Sequence, residues 1–212
     1  MPHLTVLLDT SPLQTGSQVR GIGTYTRLLH QHLAQLDQLE VIPITSPSEL
    51  RQYRRQAQPD PKQTILHYPF FDLFFSTLPI IRPYKTVVTV HDVIPLLFPA
   101  QYPPGKKGRL RFYKQVFALQ TVDAVITDSA AAKLDIISHL HLRPEKVFPV
   151  HLAGQPEIGP VPPSQQQQLR QQYQLPERYV LYVGDINYNK NIPQLLKMLK
   201  YLPPDLHLVC VG

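Results

Sequence analysis

The run TVVTVHDVIPLLF, residues 86–98, constrains this chain most. Residues 86–90 are uncharged and largely β-branched, which predicts a short, fully buried strand. The run then meets two ionisable residues side by side, His91 and Asp92, and Pro95 forbids its continuation as a central strand. The pair therefore stands where a buried strand ends. In an open α/β sheet, ligands bind in the crevice outside the carboxyl ends of the strands. That places an imidazole and a carboxylate at the mouth of a site. The plainer reading is an aspartate closing the next turn beside a partly buried histidine.

The chain has 212 residues, 43% hydrophobic and 17% charged, enough for a sizeable core and for one large domain or one and a half. A net charge of +6 is compatible with phosphate-bearing ligands, acidic headgroups or nucleic acid, and does not choose among them. Basic residues gather at Arg51, Arg54 and Arg55, and again at Lys106, Lys107, Arg109, Arg111 and Lys114, the second set interleaved with Tyr102, Phe112 and Tyr113. Both sets read as solvated helix faces. No nucleic-acid motif accompanies them, so nucleic acid is not an expected partner.

The single cysteine, Cys210, leaves no internal disulfide framework and fits a reducing compartment. It lies in the apolar run LHLVCVG and is expected to be a buried small hydrophobe. The start MPHLTVLLDT lacks the basic opening and long apolar run of a secretory signal. No stretch approaches the ~20 apolar residues of a membrane span. The expectation is a soluble, cytoplasmic protein, with peripheral contact at the inner face of the membrane left open.

Along the chain, strands and helices alternate. Residues 4–8 form a first strand ending at Asp9, and residues 10–20 a loop. Gly21-Ile22-Gly23 then opens a helix over 24–36, with Leu28, Leu29, His32, Leu33 and Leu36 on one face. Strand, glycine loop and helix make the start of a doubly wound α/β unit. The glycines permit close backbone approach, and the helix N-terminus offers free N–H groups to an anion. A tight turn explains them equally well. The dinucleotide fingerprint is incomplete, because Thr26 stands where its third glycine belongs.

Further strands are expected at 41–44, 64–67, 124–127 and 146–152, and helices at 48–56, 108–120 and 130–140. In the helix over 108–120, Leu110, Tyr113, Phe117 and Leu119 are expected on the inner side. Ser129 is an N-cap at the end of the strand VIT. The aromatic stretch 68–81 divides between core and an exposed lip. His139 and His141 have no partner at ligand spacing, so no metal is expected. Residues 155–178 turn to proline and glutamine, with a helix over 164–173. The pattern then restarts: strand 179–183, Gly184, the loop DINYNKN, a helix over 192–202 and strand 206–211. The expected division is an N-terminal domain over 1–158, a linker over 159–178 and the start of a second α/β domain over 179–212. A two-strand, one-helix unit is too small to cover its own sheet faces, so the sequence reads as cut inside that second domain.

Four pieces in order carry a resemblance: GIGTYT; TVVTVHDVIPLLFP with QYP after it; VDAVITDSAAAKLDI ahead of PEKVFPVHLAG; and RYVLYVGDINYNKNIPQLL. Together they resemble the retaining, nucleotide-sugar-dependent glycosyltransferases of the large group 1 (family 4-like) set. Those have the GT-B fold of two Rossmann-like domains. The resemblance covers essentially the whole chain. It implies a Rossmann-like, doubly wound, mostly parallel sheet that binds the acceptor, and a second domain for the nucleotide-diphosphate sugar, with transfer in the cleft between them. It implies that Gly21 and Gly23 approach the donor phosphates or the acceptor, that His91 hydrogen-bonds the transferred sugar, and that Asp92 orients the loop or His91. Gly184, Asn187 and Lys190 become the donor diphosphate site, since lysine binds phosphate as a point charge and neutralising the departing diphosphate is the main electrostatic task.

Two departures accompany it. Asp185 stands where many members have arginine, and the family's later pair of glutamates lies past residue 212. The implied reaction moves a hexose, plausibly mannose, to a saccharide or lipid-linked acceptor, with no cofactor beyond the donor substrate. The 212 residues alone are expected to be inactive. The competing reading is a non-catalytic sugar- or partner-binding half-module that another chain completes. A nicotinamide-dependent enzyme is disfavoured by the missing third glycine and by the lack of an acidic ribose ligand at the usual distance.

Overall fold

A computed structural model of the chain describes residues 4–16, 21–154 and 159–212. It comprises two compact units, residues 1–152 and 153–212. The first is built on six strands: β1 (Leu4–Asp9), β2 (Leu39–Ile44), β3 (Thr64–Tyr68), β4 (Lys85–Thr89), β5 (Ala124–Thr127) and β6 (Val147–Pro149). Helices α1 (Gly21–Leu33), α2 (Pro47–Ala57), α3 (Ile94–Leu97), α4 (Gly105–Gln120) and α5 (Ala130–Leu140) lie between them. The strand order is β2-β1-β3-β4-β5-β6, with every adjacent pair parallel. This α/β architecture is consistent with the Rossmann-like half of a GT-B fold. Pro43, which cannot donate to a ladder, is admitted because β2 is an edge strand. At the centre, Val88, Thr89 and Val90 are completely buried.

The chain runs from β1 outward to β2, returns across β1 to β3, then proceeds outward to β6. Its direction reverses between β1 and β3. Parallel crossovers are right-handed, so this order puts α1 on one face and α2, α4 and α5 on the other. The side chains agree. Leu7, Leu66, Val88, Val125 and Val147 join one core with Leu50 of α2, Leu119 of α4 and Ile136 of α5. On the opposite face Tyr25 of α1 reaches Thr89.

In the first unit three expectations change. Helix α1 begins at Gly21, and its buried residues are Gly23 and Thr26, whereas His32 and Leu36 are exposed. Thr26 hides its hydroxyl by donating to the Ile22 carbonyl at 2.8 Å. Strand β6 ends at Pro149, a residue with no N–H to extend the ladder.

The third change is the rotation of α4. Its buried residues are Gly108, Gln115, Ala118 and Leu119. Leu110, Tyr113 and Phe117, expected inside, are 62%, 65% and 55% exposed. The reason is Gln115. Its Oε1 accepts from the Leu78 N–H at 2.9 Å and from the N–H and hydroxyl of Thr77 at 3.1 Å, while its Nε2 donates to the Leu78 carbonyl at 2.9 Å. An amide whose oxygen and nitrogen both find partners is buried without the cost of an unpaired polar group. It locks the aromatic loop onto the helix. That loop divides as expected: Phe71, Leu73 and Leu78 are buried, Phe75, Ile80 and Ile81 exposed.

The second unit has α6 (Pro163–Gln172), β7 (Arg178–Val183), α7 (Ile192–Met198) and β8 (Leu206–Val211). Strands β7 and β8 pair in parallel. Helix α7 stops before the expected residue 202, and a 3₁₀ turn, Leu199–Tyr201, replaces its last turn. Cys210 is exposed, contrary to expectation. Two strands supply too few neighbours to bury both faces, and Leu181, Val183 and Val211 are exposed as well. Among the described residues no helix is long and apolar enough to cross a membrane.

Candidate functional site

The register of β4 against β5 pairs Thr89 with Ile126. Side chains two residues apart on a strand share a face. Two residues further on, His91 and Asp128 therefore emerge side by side past the carboxyl ends of adjacent strands. His91 Nδ1 lies 2.8 Å from Asp128 Oδ2, and His91 Nε2 lies 3.1 Å from the Pro69 carbonyl oxygen. Both partners are acceptors. A neutral imidazole donates to one of them, an imidazolium to both. The edge of the Tyr25 ring closes a third side, with centroids 4.8 Å apart at 89°. The histidine is thus fixed in plane and position, and its side chain keeps 18% exposure. The other carboxylate oxygen, Asp128 Oδ1, is buried with no hydrogen-bond partner among the described residues.

Beneath the histidine lies a polar cluster. The Thr89 hydroxyl is 3.1 Å from the Tyr25 hydroxyl and 3.0 Å from His67 Nε2. Burial lowers the His67 pKa to about 4, so the ring is neutral at physiological pH. Burial also raises the Tyr25 pKa, aided by the charge of Asp128 and opposed by the Thr89 hydrogen bond. Both groups are therefore uncharged donors or acceptors that hold Thr89 and the end of β4.

Asp92 is placed differently. Its Oδ1 accepts from the Ile94 N–H at 3.0 Å at the start of α3. The partner of His91 is thus Asp128 and not its sequence neighbour Asp92.

A groove of about 720 Å³ opens at the carboxyl ends of β1, β2 and β3. It sits where the strand order reverses, the place at which open α/β sheets bind ligands. Leu50, Arg51 and Arg54 of α2 line one side, Tyr68 and Phe70 another, and Asp9 stands at the strand end. Asp9 Oδ1 accepts from the Ser11 N–H at 2.9 Å. Burial raises the Asp9 pKa, partly offset by that bond. Burial and the neighbouring Asp9 charge push Tyr68 up to about 12, so its phenol stays protonated. Pro69, whose carbonyl meets His91, lies between the two aromatic residues of the wall. The histidine and the groove are thus separated by one residue of backbone.

Gly21 is exposed at the start of α1, with open space where a Cβ would stand, and Gly23 is buried two residues on. In the second unit, Gly184 has φ +142°, a conformation side chains rarely adopt, and its N–H donates to the Val211 carbonyl at 2.8 Å. The Tyr182 hydroxyl donates to the Asp185 carbonyl at 2.8 Å. This chain path brings Gly184, Asn187 and Lys190 onto one loop, with Asn187 and Lys190 exposed. Helix α7 after this loop is short, and Pro193 in its first turn has no N–H. Reading the sequence singled out His91 and Asp92 and missed Asp128, Tyr25, Thr89 and His67. The run VITDS, an acid just past a strand, was the one available signal for Asp128.

No family model matches the chain. It is similar to proteins named serotype-specific mannosyltransferase WbdA of Escherichia coli, one of them 28% identical over 126 residues, 58% of this chain and 16% of that protein. It is also similar to the O-antigen chain mannosyltransferase B of Escherichia coli, 29% identical over 155 residues, 71% of this chain and 38% of that protein. The chain thus spans well under half the length of the curated relatives it matches.

Proposed function

We propose that this chain is part of a glycosyltransferase that moves a hexose, in our reading mannose, from a nucleotide-diphosphate sugar to a saccharide or lipid-linked acceptor with retention of anomeric configuration. The observation that carries this reading is the similarity to proteins named mannosyltransferase, found in a chain whose first unit is a Rossmann-like parallel sheet. In this reading the groove at the reversal between β1 and β3 takes the acceptor. Its aromatic wall suits the C–H face of a sugar, and Asp9 accepts from hydroxyls. His91, held by Asp128, faces the transferred hexose. In the second unit, Lys190 and the Gly184 loop take the diphosphate. The bond from the anomeric carbon to the diphosphate oxygen breaks, the acceptor oxygen forms the new bond on the same face, and its proton leaves with the phosphate.

The test uses the protein encoded by the whole reading frame that contains this chain. Incubation with GDP-mannose, UDP-glucose and UDP-galactose, each with a mannose-terminated saccharide, is followed by release of nucleoside diphosphate and by proton NMR of the product. Release with GDP-mannose and an α-linked product is expected. A β-linked product contradicts retention, and release with no donor contradicts transfer. The competing binding-module reading expects saccharide binding with no release.

A further inference from the structure

The sequence offers Arg51, Arg54 and Arg55 as one solvated helix face, and the structure divides them. Arg51 and Arg54 line the groove of about 720 Å³ at the carboxyl ends of β1, β2 and β3, and Arg55 is not part of its wall. The two stand three residues apart on α2, so they share one face of that helix. Both are exposed. Among the described residues neither guanidinium has an ion-pair or hydrogen-bond partner.

The nearby acids are engaged elsewhere. Glu49, on the same helix, accepts from the Thr45 N–H at 2.6 Å and from the Thr45 hydroxyl at 2.7 Å. Asp9, the one acid among the described residues that line the groove, gives Oδ1 to the Ser11 N–H. The wall is therefore net cationic. The rest of it is apolar or hydroxylated: Leu50, Tyr68 and Phe70 supply apolar surface, and Ser11, Ser46 and Ser76 supply hydroxyls. A neutral saccharide seated there would strip water from two cations and give them no counter-charge. An ionised oxygen group on the ligand supplies one, and a planar guanidinium grips a carboxylate or phosphate through two parallel N–H bonds.

Resting on the transferase reading, in which this groove takes the acceptor, we infer that the acceptor is an anionic saccharide whose phosphate or carboxylate group is held by Arg51 and Arg54. The aromatic wall takes the C–H face of its sugar ring. The two arginines determine specificity: a neutral sugar of the same shape forgoes two charge-assisted contacts, each worth about tenfold or more in affinity.

The test is a calorimetric titration, without donor, of the protein encoded by the whole reading frame. The probes are mannose 6-phosphate, methyl mannuronoside and the neutral methyl mannoside. One charged sugar should bind about 10²-fold more tightly than the neutral one. Preference for the first identifies a phosphosugar acceptor, and preference for the second a uronic acid. An Arg51→Gln, Arg54→Gln variant should lose the preference, with an unchanged circular dichroism spectrum because both side chains are exposed. Arg51→Lys with Arg54→Lys keeps the charges without the fork and should retain part of it. No preference for either charged sugar overturns the inference, as does wild-type binding by the glutamine variant. Inorganic phosphate that binds as tightly as mannose 6-phosphate also overturns it, since the groove would then read charge alone. Binding lost in Lys190→Met and kept in the glutamine variant assigns the anion to the second unit and overturns it too. Nucleotide release is read separately: a charge preference carried by the arginines, with no release from any donor, contradicts the transferase reading and leaves the anionic site standing.

Discussion

His91 is oriented by Asp128, 37 residues away in sequence, across 2.8 Å from Nδ1 to Oδ2. Its sequence neighbour Asp92 serves the next loop instead. The pairing arises from sheet register, because Thr89 and Ile126 are partners and His91 and Asp128 follow each by two.

That geometry makes Asp128 a positioning residue. Asp128→Asn keeps the shape and removes the charge that faces His91 Nδ1. In the transfer assay it should lower kcat by about 10²-fold, the scale expected when a reacting group is misplaced by about 1 Å. KM for the donor should change less, and the melting temperature should stay within a few degrees. Equal loss of stability and activity would make the pair structural.

Acid sensitivity should come from His67. Its folded-state pKa, about 4, lies below the ordinary 6.5. The unfolded chain therefore takes up the proton first, and stability falls as pH drops from 6.5 towards 4. The loss amounts to about 3 kcal/mol by linkage. Asp9 acts with the opposite sign, since its raised pKa favours the folded state on acidification. Comparing urea unfolding of the wild type with His67→Gln across this range isolates the histidine. The variant's profile should be flatter.

The two faces of α4 give a direct contrast. Leu119→Ala, at a completely buried position, should cost about 2–5 kcal/mol of stability. Leu110→Ser, on the exposed stripe, should stay within about 0.5 kcal/mol. Thermal denaturation of both variants reads the helix rotation.

Lys190 is the cation assigned to the donor diphosphate. Lys190→Met should raise KM for the nucleotide-diphosphate sugar by about tenfold or more, the scale of a lost hydrogen bond to a charged group. The effect on kcat should be smaller. Asp185→Asn should lower that KM, because it removes a negative charge from the same loop.

Local pattern made much of this legible. Strand β5, helix α5 with its Ser129 cap, and strand β8 follow from β-branched runs, a capping serine and helical period, and the structure gives those same bounds. What local pattern lacks is the partner. GRLRFYKQVFALQ offers two apolar faces, and the one with glycine and glutamine is buried because Thr77 and Leu78 satisfy the Gln115 amide. No property of the helix itself announces that loop. Asp128 was hidden for a related reason: knowing that it stands beside His91 requires knowing that β5 neighbours β4, and in which register. The burial of Thr26 in α1 in place of Leu36 likewise depends on where the helix meets the sheet.

The most direct measurement is hexose transfer from GDP-mannose by the whole protein and by its His91→Ala form, at matched folded concentration. Retained configuration in the product, with kcat lower by about 10²-fold or more in the variant, is the predicted result. Undiminished transfer by His91→Ala would remove this histidine from the site and contradict the account.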